Sequence, residues 1–407
     1  MYDNIFVAVD NSVFSGYAES IGLRIALAGK IPVTGVHAYT GRFHQARFRA
    51  LEGHLPEKYR TEEELSHQRD IHSVLIGRGL ELISTEYMKR LDDACRAAGI
   101  PFFERVVDGK NADVVIDASQ SGSLTVIGAE GLGHIDGISG LGSTARRTIR
   151  HGRGDILIAK KGSSLRSVLA GVDGSEEAFM MIKTASVLSC LLGATLTIAA
   201  CFDPGLHRTV FGSLSSTLSK EAGDVFKFSE QEELHNEIID RSLADLYSRH
   251  LERAAKIASE HGAAAGTRLV QGKPFCELCK LADELGSDLI VVGHSGMHRS
   301  IYGDIGSNTE RVAELAGTNV LIVGDNSCED YAFCGEREVP VPGSEGDPGM
   351  QFDKPLIWDA DAKERIEKVP SIARSMAVIA IERYAKENGI STITPEVMNS
   401  AREELGL

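Results

Sequence analysis

The chain carries one plan twice. An apolar run, Ile5-Phe6-Val7-Ala8-Val9, ends on Asp10, and 163 residues later Val168-Leu169-Ala170-Gly171-Val172 ends on Asp173. His72 and His235 keep the same step, as do Gly109 and Gly272; Gly128 and Gly293 depart from it by two residues. A repeat of this length is a whole domain, not one unit of a solenoid. The 407 residues therefore hold two copies of one domain and a remainder.

Each copy reads as short β-branched runs alternating with helical patterns. Strands are predicted near 4–9, 32–39, 102–107, 123–128 and 155–160 in the first copy, and near 167–172, 195–202, 266–271, 288–293 and 319–323 in the second. That alternation implies βαβ units, a parallel sheet and right-handed crossovers with helices on both faces. The fold class is α/β, with two tandem Rossmann-like five-stranded parallel sheets. Ligands of such sheets bind beyond the carboxyl ends of the strands. Asp10, Asp173 and the loops after the fourth strands all fall at that edge.

The loop after the fourth strand of the second copy carries Gly293-His294-Ser295-Gly296, then nine residues, then Gly306-Ser307, with a helical pattern from Thr309. Glycine lets backbone amides approach an anion, and a helix start adds unpaired N–H donors and a favourable dipole. A P-loop would need Gly-Lys-Ser/Thr, and a serine-hydrolase elbow would need glycine where Met297 stands. A nucleotide phosphate is the expected occupant. A turn that merely reverses the chain is the alternative.

The pattern Gly-x2-Gly-x9-Gly-Ser, with the acidic residue after the first strand, resembles the ATP-binding signature of the universal stress protein family. The resemblance covers residues 1–161 and 165–324. It implies the strand order 3-2-1-4-5 in each copy. It also implies adenine nucleotide binding, with Mg²⁺ as an optional companion. Carried onto the second copy, the nucleotide-binding residues are Gly171, Val172, Asp173, Cys201, Gly293, Gly296, Gly306, Ser307 and Asn308. In the first copy they are Asp10, Ala38, Gly128, Gly131, Gly142, Ser143 and Thr144, as a weaker site. Ten residues, not nine, separate Gly131 from Gly142 there, and Glu130 places a negative charge beside the expected phosphate. The second copy is thus expected to be the main site.

A net charge of −15 argues against a nucleic-acid partner held by phosphate neutralisation. The uncharged stretch Thr184–Phe202 is interrupted by Gly193 and reads as a buried helix and strand, not a membrane span. A cytoplasmic protein is expected, with its seven cysteines reduced. Cys276-x2-Cys279 opens a helix after Pro274 and reads either as a redox pair or as small apolar residues facing the sheet. A zinc site would need Cys328 and Cys334 as well, and no metal is assigned. His294 and His298 lie in or beside the glycine loop, where they touch phosphate or solvent. A long insertion follows the second strand of each copy and is expected to carry helix of its own.

Residues 325–356 mix proline and glycine with eight acids against Arg337 and Lys354, and read as a linker. Residues 357–407 return to helical spacing, with Gly389 as a stop and Thr394-Pro395 as a helix start. Three short helices are expected. Trp358, Val369-Pro370, Glu382-Arg383-Tyr384-Ala385 and Ile393-Thr394 resemble the small C-terminal domain of the light-independent protochlorophyllide reductase catalytic subunit. That resemblance implies docking on a protein partner.

Two functions follow. One is a tandem stress protein that binds ATP or a related adenine nucleotide and acts as a nucleotide-dependent regulator, with at most slow hydrolysis and no assigned catalytic residue. The other is a scaffold without nucleotide, whose tail recruits a redox or tetrapyrrole-pathway partner. Pairing of the two copies within the chain, and a further homodimer, are both open.

Overall fold

The computed structural model describes residues 2–133, 140–162, 164–203, 205, 228–297 and 304–324, and in the tail 357–359, 361, 362, 365, 381, 384, 385, 390 and 392–404. For 228–241, 357, 358 and 402–404 only the backbone is described. The chain divides into two compact units, Met1–Tyr331 and Ala332–Leu407, each treated by itself below.

The first copy runs β1 (Asn4–Ala8), α1 (Val13–Gly29), β2 (Val33–Tyr39), α2 (Gly41–Leu51), α3 (Glu62–Ala97), β3 (Phe102–Asp108), α4 (Asn111–Ala118), β4 (Ser123–Gly128), α5 (Ser143–His151) and β5 (Asp155–Ala159). The second runs β6 (Ser167–Val172), α6 (Glu176–Leu192), β7 (Thr195–Phe202), α7 (Phe228–Glu260), β8 (Ala265–Gln271), α8 (Pro274–Glu284), β9 (Leu289–Gly293), α9 (Ser307–Leu315) and β10 (Asn319–Val323). The uncharged stretch from Thr184 is the end of α6 followed by β7, and no described helix is long and apolar enough to cross a membrane.

Within each copy the strands are parallel and lie in the order 3-2-1-4-5. The two sheets are not separate. β5 pairs antiparallel with β10, in the register Leu157 opposite Leu321, and a single ten-stranded sheet results. The physical reason lies in the strands themselves. Every residue of β5 and of β10 is buried, so neither can serve as a solvated edge. Joining them satisfies two rows of backbone groups that would otherwise be exposed. The outer strands β3 and β8 are mostly half-buried or exposed.

Two apolar layers cover the sheet. On one face Ile5, Val7, Ile21 and Met88 of the first copy are continuous with Val168, Ile182 and Leu321 of the second. The other face packs α4, α5, α8 and α9 through Ile149, Ile158, Leu281 and Val312. Burial of each such side chain contributes roughly 1.5–3 kcal/mol.

The helices that matter for the crevice start on serine caps. Ser12 caps α1 by accepting from the Ser15 amide (3.0 Å), and Ser175 caps α6 by accepting from the Ala178 amide (3.2 Å). The insertion after β2 carries helix, as its length required: α2 lies there, and His72 on α3 stacks on Phe48 with ring centroids 4.4 Å apart. The matching insertion, 204–227, lies almost wholly outside the described residues, and so does the linker, 325–356.

In the tail unit, β11 (Ile357–Trp358) pairs in parallel with β12 (Thr392–Ile393), and α10 (Pro395–Glu404) follows. The Pro395 start is as expected from Thr394-Pro395. Gly389 and most of residues 363–391 lie outside the described residues. Ala362, Ile381, Ala385, Ile393, Met398 and Ala401 form a small buried cluster.

Candidate functional site

Beyond the end of β1 the chain turns sharply at Asn11, which adopts φ +62°, while the equivalent position in the second copy is Gly174 at φ +91°. The turn is held by the acid before it. Asp10 Oδ1 accepts from the Ser12 amide (2.9 Å), and Asp173 Oδ1 accepts from the Ser175 amide (3.0 Å) and hydroxyl (2.6 Å).

The second carboxylate oxygen reaches the glycine loop. A Cβ on Gly131 would lie 2.7 Å from Asp10 Oδ2, and one on Gly296 would collide with Asp173 Oδ2. In the second copy Asp173 Oδ2 also accepts from the Met297 amide (2.8 Å). A side chain at either glycine would have to push the carboxylate out of the place it holds.

Both loops close on the same hydrogen bond. The Gly142 amide donates to the Ala129 carbonyl (2.8 Å) and the Gly306 amide to the His294 carbonyl (2.8 Å). Gly142 and Gly306 then stand at the N-cap of α5 and α9, with no side-chain cap in either. Among the described residues no side chain takes the amides of the first helical turn, which can serve an occupant of the crevice.

In the first copy these parts surround a cavity of about 600 Å³. All seven first-copy residues line it: Asp10, Ala38, Gly128, Gly131, Gly142, Ser143 and Thr144. Its volume falls in the range of roughly 300–1,000 Å³ usual for small-molecule sites. Glu130 lines it too.

Among the lining residues that sequence reasoning passed over are His37, Ser84 and Tyr87. His37 Nδ1 lies 2.5 Å from the Val9 carbonyl, an oxygen that can only accept, so that nitrogen carries a proton and donates. The Tyr87 ring meets His37 edge-on, with centroids 5.5 Å apart. Behind Asp10 a polar relay fixes the turn. The Asp10 amide donates to Ser15 Oγ (3.2 Å), Ser15 Oγ donates to Glu19 (3.1 Å), and Arg90 grips the buried Glu19 with two bonds of 2.6 and 2.7 Å.

The second copy keeps the skeleton and changes the walls. At the positions of His37, Tyr39, Ser84 and Tyr87 stand Ala200, Phe202, Tyr247 and His250. The His250 imidazole occupies the space that a side chain on Gly174 would fill, and Tyr247 lies between it and Phe202, at centroid distances of 5.3 and 6.0 Å. Burial lowers the His250 pKa, against an opposing pull from Asp173.

Gly171 faces Leu278 of α8, whose Cδ1 lies 2.8 Å from the place of its Cβ. Cys201 is buried in the same layer, where burial pushes its thiol up to about 12. Val172 is buried, and Ser307 and Asn308 open α9. The loop between Met297 and Asp304, with His298, lies outside the described residues.

Cys276 and Cys279 sit partly buried in the first turns of α8. Burial pushes the Cys279 thiol up, the opposite of what a reactive thiolate needs. Among the described residues no group of three or more His, Cys, Asp or Glu is placed to hold a metal ion, and Cys328 and Cys334 lie outside them.

The family model of the universal stress protein family matches residues 1–160 and again 164–324. The chain belongs to the universal stress protein family. Both stress-protein copies are covered almost end to end by that match. A universal stress protein from Archaeoglobus fulgidus DSM 4304 is similar over 79% of this chain and 96% of its own, at 14% identity and a TM-score of 0.46. A universal stress protein solved in complex with cAMP is similar over 40% of this chain and 98% of its own, at 28% identity and a TM-score of 0.28.

The tail gives a different match. Residues 358–402 fit the model of the proto-chlorophyllide reductase 57 kD subunit. A light-independent protochlorophyllide reductase polypeptide of Chloroherpeton thalassium is 39% identical over 59 residues, which is 14% of this chain and 11% of that protein. The stress protein thus spans about a tenth of that relative's length.

Proposed function

We propose that this stress protein binds an adenine nucleotide in its glycine-loop crevices and acts as a nucleotide-dependent regulator. The observation that carries the reading is the first-copy cavity of about 600 Å³, lined by Asp10, the glycine loop and the uncapped start of α5. A polyphosphate there would meet amides at a helix N-terminus, where the dipole and free N–H groups favour negative charge. The Ser143 and Thr144 hydroxyls would add donors. Glu130 opposes a bare polyanion, and Mg²⁺ carried with the phosphates would offset it.

The second copy is expected to bind through Asp173, Gly293, Gly296, Gly306, Ser307 and Asn308. Its walls differ, because Tyr247 and His250 stand beside Asp173 where the first copy has Ser84 and Tyr87. Family membership and the shared loop closure support both sites. The open described cavity supports the first as the better fit for a base and ribose.

The test is calorimetric titration of the full chain with ATP. Gly131→Val drives a side chain into Asp10 and is expected to remove binding at the first copy, while Gly296→Val does the same at the second. A stoichiometry of two, falling to one in either variant, fits two sites. Unchanged affinity and stoichiometry in both variants would overturn the reading.

A second reading attaches to the tail unit alone. Its match to the reductase family model and its own buried cluster support a small module that docks on a protein partner, with tetrapyrrole or redox enzymes as the class to test first.

A further inference from the structure

Asp155 opens β5 and is 2% exposed. Its Oδ1 accepts from the Gly324 amide (2.9 Å) and its Oδ2 from the Tyr2 hydroxyl (2.8 Å). Among the described residues no basic side chain pairs with it. Two of the roughly four acceptor positions of the carboxylate are therefore used.

The repeat shows what the fold itself asks of this position. Asn319 opens β10, is fully buried, and its Oδ1 accepts from the Lys160 amide (2.9 Å), the residue equivalent to Gly324. Buried Leu165 stands where the other copy has Tyr2. A neutral amide thus performs on one side of the β5–β10 seam the task that an acid performs on the other. The seam does not need a charge at position 155, and burying one without a cation is unfavourable.

The acid side opens on a cavity of about 290 Å³, walled by Tyr2, Asp155, Val187 and Leu188, with Lys183 and His261 also lining it. An apolar cavity of about 150 Å³ is enough for benzene, so this one accommodates a somewhat larger body. We propose that it binds a small organic monocation, a primary ammonium on an apolar body, with Asp155 receiving the ammonium and Val187 and Leu188 the body. Half-exposed Lys183 makes no ion pair with Asp155 and disfavours a second positive charge on the ligand.

The test titrates the full chain with benzylammonium chloride and, separately, benzyl alcohol at pH 7.5. The cation is expected to bind at least tenfold more tightly than the alcohol. Asp155→Asn, whose side chain serves at position 319, is expected to erase that preference. Val187→Trp fills the cavity and is expected to block both probes with the carboxylate intact.

Burial holds the Asp155 carboxyl at about 6, so affinity for the cation should rise about tenfold from pH 5 to pH 7. The other titratable groups facing the cavity are Tyr2, Lys183 and His261. No saturable binding of benzylammonium, equal affinity for the alcohol, or unaltered binding in Asp155→Asn would each overturn the proposal.

Discussion

At the scale of single residues, the carboxylates at strand ends set the limits of variation. Asp10 and Asp173 each hold a turn with one oxygen and fill a glycine's side-chain space with the other. The glycine spacing was readable from sequence, and the structure gives it a reason: a side chain at 131 or 296 would have to displace the aspartate from its turn. His37, Ser84 and Tyr87 were not readable, because each is an ordinary strand or helix residue until the fold brings it to the cavity. The same holds for Tyr247 and His250, whose effect on the second crevice depends on which way α7 faces.

Asp155 makes a pH prediction at this scale. Its pKa is raised from 3.8 to about 6, with burial as the largest cause. A carboxyl that binds its proton more tightly when folded adds stability below the unfolded pKa, and that contribution is lost as pH rises through the folded value. The loss is about 2 kcal/mol between pH 4 and 6. Thermal unfolding of wild type against Asp155→Asn should therefore show the variant gaining relative stability across that interval. Parallel profiles would contradict it.

At the scale of elements, α5 and α9 lie antiparallel across the seam, each starting at its own glycine loop. Arg146 pairs with Glu314 (3.1 Å) and Arg150 with Glu310. Lys160 Nζ donates to the Ala316 (2.6 Å) and Glu314 (3.2 Å) carbonyls at the far end of α9. His294 Nε2 lies 3.1 Å from the Ile149 carbonyl at the end of α5. The charges are divided, arginines on α5 and glutamates on α9, so α5 facing a second α5 would set like charges together.

The side chains of these pairs are a quarter to a half exposed. Each pair is thus worth about 0–1 kcal/mol. Arg146→Glu with Arg150→Glu is expected to cost about 1–2 kcal/mol in urea unfolding, more at low salt. Adding Glu310→Arg and Glu314→Arg should restore most of it, and failure to restore would show that the pairs do not act together.

The ten strands of the shared sheet were legible from their β-branched runs, to within a residue or two; β11 and β12 in the tail were not. The union of the two copies across β5 and β10 was not legible either. Asp155 and Asn319 fall at the starts of strands expected from sequence, but nothing in an apolar run says whether its neighbour comes from the same copy.

At the scale of the whole molecule, a stress-protein pair is followed by a small unit with its own core and a different kinship. If the tail docks on a partner, deleting 357–407 should change the set of proteins retained by the immobilised chain while ATP affinity stays as it was. An identical set would retire the docking reading.

The shared ten-stranded sheet has a further consequence. When two identical polypeptides meet through such a seam, any substitution strikes both crevices at once. Here the two halves are separate stretches of one chain, so a substitution in one crevice leaves the other as it was. Ser84 against Tyr247, and His37 against Ala200, are the marks of that independence.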